Sequence, residues 1–250
     1  MKKFGYRVLL SLITYMGIFG LPVMAEEITE IHFVSEAWEN VTHADGTGLC
    51  WELFRKVYEP RGIHVMFEIV PYARATNMVQ QQQADVSVGV YLDEYDKALF
   101  SEWPYLEDVV LAIFKKGKVT NWEGEKSLSG NIGWMRGYAF NEYLQTNIKF
   151  YEVDTRKSGL KMLEHDRLDF FLDTEAELQE ALQEGYLDVG AFQIETLLRL
   201  TVHLAFAENE RGRQLRQIYD ERMAELAASG ELRPIYEKWD LPYPFENSQQ

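Results

Sequence analysis

The 250-residue chain has a single cysteine, Cys50, so no internal disulfide can form and the fold must be held by its core. Cys50 lies in an amphipathic stretch with Leu49, Leu53 and Phe54, which suits a buried, inert thiol better than a nucleophile. Basic residues are also scarce. Lys+Arg number 25 against Asp+Glu 40, a net charge of −15, and that balance excludes the clustered positive surface a nucleic-acid binder needs. There is no G-x-G-x-x-G, no Walker A loop, no G-x-S-x-G elbow and no H-E-x-x-H. The five histidines (His32, His43, His64, His165 and His203) have no paired spacing, so no zinc centre is expected, and no cofactor is implied. What remains is ordinary: 46% hydrophobic and 26% charged residues, too apolar for a disordered chain. The length is large for one core and suits two modest lobes.

The N-terminus reads as a targeting segment. Lys2, Lys3 and Arg7 precede an apolar run from Val8 to about Gly20, then Pro22 and the small-residue ending Val23-Met24-Ala25. That order predicts a cleavable secretory signal over residues 1–25 and a periplasmic mature protein. The run is short for a membrane span, and no stable membrane insertion is expected. Cys50 lies well beyond the cleavage site, so a lipid anchor is not expected either.

The body alternates strands with helices. Ile31–Val34 reads as a strand and Leu49–Tyr58 as a helix, with Leu49, Leu53 and Val57 on one face. His64–Val70, Asp85–Val90 and Tyr105–Lys116 read as strands, with a helix over Ala73–Gln82. After a polar stretch, Lys115–Gly130, the pattern restarts. Strands are predicted at Asn131–Met135, Lys149–Val153 and Leu168–Leu172, and helices at Tyr138–Thr146, Arg156–His165 and Thr174–Glu184. Leu197–Phe206 is β-rich, and helices close the chain over Gly212–Ala228 and Glu231–Trp239. Such alternation implies an α/β fold with parallel sheets covered by helices, arranged as two lobes. From this chemistry alone, an enzyme and a binding protein stand equally open.

Six segments, in order, resemble the periplasmic solute-binding proteins of family 3, the amino-acid-type group. They are Asp45-Gly46-Thr47-Gly48-Leu49; Pro71-Tyr72-Ala73-Arg74-Ala75 with Gln83-Ala84-Asp85-Val86; Phe100-Ser101-Glu102-Trp103-Pro104-Tyr105; Leu128-Ser129-Gly130-Asn131-Ile132-Gly133 with Arg136-Gly137; Arg167-Leu168-Asp169-Phe170; and Ser229-Gly230-Glu231-Leu232 with Ile235-Tyr236-Glu237-Lys238-Trp239. The resemblance implies a two-lobed type II periplasmic-binding-protein fold, with ligand in a crevice between lobes joined by two crossovers. Lobe 1 would combine residues 26–115 and 206–250, and lobe 2 would be residues 116–205, with crossovers near Phe114–Lys118 and Leu204–Glu208. It further implies a monomer that captures a small polar solute, an amino acid or related carboxylate, for an inner-membrane ABC permease or a sensor. The alternatives are an enzyme resembling cyclohexadienyl dehydratases, with Glu36 as the nearest strand-end acid, and an orphan binder without a transport role.

Strand ends supply the candidate ligand contacts: Trp38, Tyr72, Arg74, Gly89, Tyr91, Arg136, Tyr138 and Asp173. One departure stands out. The family's amino-acid binders carry an Arg shortly before F-S-x-x-P-Y, whereas this chain has Leu92-Asp93-Glu94-Tyr95-Asp96-Lys97-Ala98-Leu99. Arg74 and Arg136 are therefore expected to face the crevice as the anion clamp, and Asp173 to hold an ammonium. Should the arginines lie elsewhere, the ligand is expected to be cationic or neutral.

Overall fold

The computed structural model describes residues 27–245. The expected signal segment lies outside the described residues. Among the described residues, no helix is long and apolar enough to cross a membrane.

The chain begins with strand β1 (Glu30–Ser35), helix α1 (Leu49–Tyr58), β2 (His64–Ile69), α2 (Tyr72–Gln80) and β3 (Val86–Val90). Strands β1, β2 and β3 are parallel, with β1 in the middle. Helix α1 forms because Leu49, Leu53, Phe54 and Val57 make one apolar face, all fully buried. Phe33 of β1 stacks on Phe54 with ring centroids 4.6 Å apart. Each such large side chain contributes roughly 1.5–3 kcal/mol on burial. Gly48 starts this helix at φ 120°, where a side chain's Cβ would sit 2.5 Å from the Val41 carbonyl oxygen.

A short strand, β4 (Ala98–Phe100), then leads into the long β5 (Leu106–Lys115). Strand β6 (Ile132–Met135), β7 (Phe150–Val153), α3 (Arg156–Glu164), β8 (Phe170–Thr174) and α4 (Glu175–Gln183) build the second half. Here β6 is parallel to both β7 and β8. The chain returns along β9 (Phe192–Ala207) and ends in α5 (Glu210–Ser229) and α6 (Arg233–Lys238).

The sheet order is β2-β1-β3-β9-β5-β8-β6-β7, with β4 paired to β9. The sheets are thus mixed, not wholly parallel as the alternation implied. Strand β9 runs antiparallel to β5 from Phe192 to Val202, and antiparallel to β3 and β4 from His203 to Ala207. Strand β5 in turn runs antiparallel to β8. These two long strands tie the halves together, and a strand that returns between two halves must oppose the one that left.

Two further differences concern local elements. The helix expected over 138–146 is only a 3-10 turn at Phe140–Glu142. Its aromatic residues dock on the core: Phe140 is fully buried against Trp134, Tyr138 and Tyr91, and Tyr143 also packs on Tyr91. Strand β9 also begins five residues earlier than expected, because β5 pairs with it from Lys115 back to Leu106.

Candidate functional site

Between the halves lies a cavity of about 90 Å³. It sits beyond the carboxyl ends of β1, β3, β6 and β8, where open α/β sheets present loops and helix starts. Tyr72, at the first position of α2, and Trp38, in the turn after β1, form one wall, their rings 6.1 Å apart. The turn is held by Thr42, whose buried hydroxyl accepts from the Trp38 N–H and donates to the Glu36 carbonyl. Trp38 can lie flat here only because residue 89 is glycine. A Cβ at Gly89 would come within 2.3 Å of the indole. Tyr138, after β6, closes the opposite side edge-on to Tyr72 at 5.7 Å.

The polar part of the wall is acidic. Glu94 accepts the Tyr72 hydroxyl at 2.6 and 2.7 Å and the Tyr91 N–H at 2.9 Å. Burial nevertheless outweighs these bonds and pushes its carboxyl up to about 7. Asp108, on β5, accepts the Tyr91 hydroxyl at 2.8 Å. Burial, with the nearby Asp173 charge, raises it to about 6. Glu177 in the first turn of α4 is raised to about 7, again mainly by burial, against the pull of Arg156. Glu39 and Glu180 complete the acidic wall, and among the described residues no Lys, Arg or His lines it.

Behind the wall Arg156 opens α3. Thr155 caps that helix by accepting the Ser158 N–H. The Arg156 guanidinium donates to Asp173 at 3.0 Å and to the Tyr138 hydroxyl at 2.7 Å, and meets Glu177 at 2.5 Å. Asp173 is 1% exposed and also accepts the Thr174 N–H at 3.0 Å. Burial opposes ionisation of both partners, yet Asp173 and its neighbours hold the guanidinium above its ordinary range.

The chain itself has matches among known proteins. The bacterial extracellular solute-binding proteins, family 3, match over residues 36–242. The chain belongs to that family. It is 24% identical over 127 residues to an uncharacterized protein of Shewanella oneidensis, a match covering 47% of this chain and 48% of that one. The chain thus aligns with about half the length of that curated relative. The fold is similar to that of a histidine kinase sensor domain resembling periplasmic binding proteins (TM-score 0.69, 16% identity, 87% of this chain and 99% of that one). It is similar to EhuB in complex with hydroxyectoine (TM-score 0.65, 20% identity, 86% and 89%). It is also similar to the GluR0 ligand-binding core of Nostoc punctiforme in complex with L-glutamate (TM-score 0.64, 16% identity, 85% and 100%). At these identities the likeness is one of fold.

In this family 3 protein, Trp38, Tyr72, Gly89, Tyr91 and Tyr138 come together on the cavity wall. The other three expected residues do not. Arg74 is exposed on α2. Arg136 is exposed and paired with Asp154 at 2.7 Å and Glu152 at 3.4 Å, because β7 places those two carboxylates beside it. Asp173 is buried behind the wall, already held by Arg156. Glu36 is half-buried and accepts the Tyr72 N–H instead of lining the cavity. Sequence reasoning missed Glu94, Asp108, Glu177 and Arg156. Arg156 had a usable signal, since Asp154-Thr155-Arg156 follows a strand and opens a helix as Arg136 was thought to.

The placement of the two expected arginines yields a direct test. Arg74→Ala and Arg136→Ala should each leave solute affinity within about twofold of the parent by calorimetry, since both side chains are exposed and off the cavity wall. A tenfold loss in either variant would return that arginine to the site.

Proposed function

We propose that this protein is a periplasmic receptor, exported through its N-terminal signal, that traps a small polar solute between its halves and presents it to an inner-membrane ABC importer or a sensor. The observation that carries this reading is the cavity between the halves, with aromatic walls drawn from both. Contacts across its mouth support a closing motion: the Tyr143 hydroxyl donates to the Leu92 carbonyl at 2.9 Å, and Tyr138 meets Tyr72 edge-on. The solved relatives in complex with hydroxyectoine and L-glutamate, and the sensor domain, are consistent with such a role. The halves would articulate where β9 changes partners, between Val202 and His203, and along the neighbouring segment from Ser101 to Tyr105.

Ligand bridging two lobes stabilises the closed form over the open one. Small-angle scattering should therefore show the radius of gyration fall when a solute identified by thermal-shift screening is added at saturation. An unchanged radius with binding confirmed by calorimetry would count against closure.

A further inference from the structure

The anion-holding groups around the cavity are already occupied by the chain's own acceptors. The Tyr91 N–H holds Glu94 at 2.9 Å, and the Gly89 N–H holds the Tyr105 hydroxyl at 2.7 Å. The Thr174 N–H holds Asp173. The guanidinium of Arg156 is divided between Asp173, Glu177 and the Tyr138 hydroxyl. The start of α4, where a helix favours negative charge, carries Glu175 and Glu177 in its own first turn. A carboxylate entering this cavity would find its partners taken and would meet Glu94, Asp108 and Glu177 instead. A cation would find those carboxylates together with the rings of Trp38 and Tyr72, which attract positive charge, whereas the Tyr138 ring already carries the Arg156 guanidinium 5.8 Å from its centroid.

We infer that the cavity selects a small organic cation that carries no carboxylate, such as a primary or quaternary ammonium, and that Glu94 takes the place a solute's own carboxylate would need. The inference rests on the receptor reading above and names its solute class. A bare metal ion fits poorly, since among the described residues no three acidic, His or Cys groups converge in a metal-holding cluster. The volume suits a compact molecule, with room for roughly six to nine water-sized groups at about 10–15 Å³ each. Amines of the size of choline or agmatine are of this order. The wall's excess of negative charge over the single, shared guanidinium also makes the site favour positive charge before any contact forms.

The test uses matched pairs that differ by a carboxylate: agmatine and arginine, cadaverine and lysine, histamine and histidine, choline and glycine betaine. Calorimetry on the full mature protein at about pH 8 should show at least one carboxylate-free member binding, and binding at least tenfold more tightly than its partner. Glu94→Gln, which keeps an acceptor for the Tyr91 N–H, should weaken the best amine tenfold or more, and Asp108→Asn should weaken it in the same direction. If the carboxylated member binds as tightly or more tightly in every pair that binds, the inference falls and the receptor reading stands. Silence from all eight solutes also overturns it, while the receptor reading is then judged by the scattering experiment with whichever solute screening returns. Parental affinity in both variants would remove Glu94 and Asp108 from the site.

Discussion

Binding of an organic cation to this protein should weaken roughly 30-fold as the pH falls from about 8 to 5.5. The cause is the protonation of carboxyls that must be ionised to attract the ligand. In the ligand-free cavity, burial sets Glu94 at about 7, Glu177 at about 7 and Asp108 at about 6. Glu94 faces the hydroxyls of Tyr72, Tyr95 and Tyr143. Asp108 faces Tyr91 and Asp173, and Glu177 faces Arg156, Asp173, Glu180 and Glu36. A bound cation favours the ionised form, so binding releases protons wherever the free site still holds them. One carboxyl titrating near 7 is about half protonated there and almost wholly protonated at pH 5.5, which gives the 30-fold figure. If two carboxyls contact the ligand, the fall is steeper. Calorimetry across this range, in buffers of different ionisation enthalpy, reads both the affinity and the protons released. A flat or inverted pH profile would rule out a carboxylate-held cation.

The same three groups act on the empty protein in the opposite sense. Their folded-state values lie above the ordinary values for Asp and Glu, so between those limits the folded protein binds more protons than the unfolded chain. Their contribution to stability is therefore full below about pH 4 and is lost as pH rises through about 6 to 7, by at most about 1.4 kcal/mol per pH unit for each group. Cavity carboxylates thus destabilise the empty protein at neutral pH, and a bound cation would relieve that cost. On the proposed reading, binding and instability would come from the same residues, as expected of a preorganised binding site.

How much of this was legible in the sequence depended on how local the cause was. Helix α1 was legible because Leu49, Leu53 and Val57 recur with the helical period and the chain around Gly48 and Pro60 marks its ends. The first three strands were legible from short apolar runs. The pairing of β9 was not, because its partners on β3 and β5 lie far away in the chain, as Val86 does from Phe206 and Lys115 from Phe192. Residues 138–146 misled because their rings are held by Trp134, by Tyr91 far away in the chain and by one another, and the segment keeps only a 3-10 turn. In the site, the aromatic wall could be read from strand ends, since topology brings those together. The charges could not. Arg74 and Arg136 follow strands just as Arg156 does, and only three dimensions show which one meets Asp173 and Glu177. Glu94 sits in the stretch first noted for lacking an arginine, and its role appears only when the Tyr91 N–H and Tyr72 hydroxyl converge on it.

Removing the Arg156 side-chain charge should destabilise the ligand-free protein by about 3–5 kcal/mol, the usual cost of stranding a buried ion-pair partner. Arg156 is 18% exposed, Asp173 1% and Glu177 11%, so little solvent reaches the cluster to screen it. In Arg156→Met the apolar stem keeps most of its packing, and the loss is mainly electrostatic. Asp173 would retain the Thr174 N–H, but Glu177 would lose its guanidinium partner and be left against the Asp173 charge. At roughly 2–4 °C per kcal/mol for a protein of this size, the melting temperature should drop by about 10 °C. The pH dependence identifies the cause. Without the guanidinium both carboxyls are pushed further upward, so the variant should recover stability as pH falls and they become neutral. Arg156→Lys keeps a charge but not the fork that reaches Asp173, Glu177 and Tyr138 together, and should fall between parent and Met variant. Replacing all three residues, as Arg156→Met with Asp173→Asn and Glu177→Gln, should restore much of the loss, because no charge is then stranded. A drop of less than about 1 kcal/mol in Arg156→Met would mean that the cluster behaves as a solvated surface pair. The wall behind the cavity would then not be held by this guanidinium.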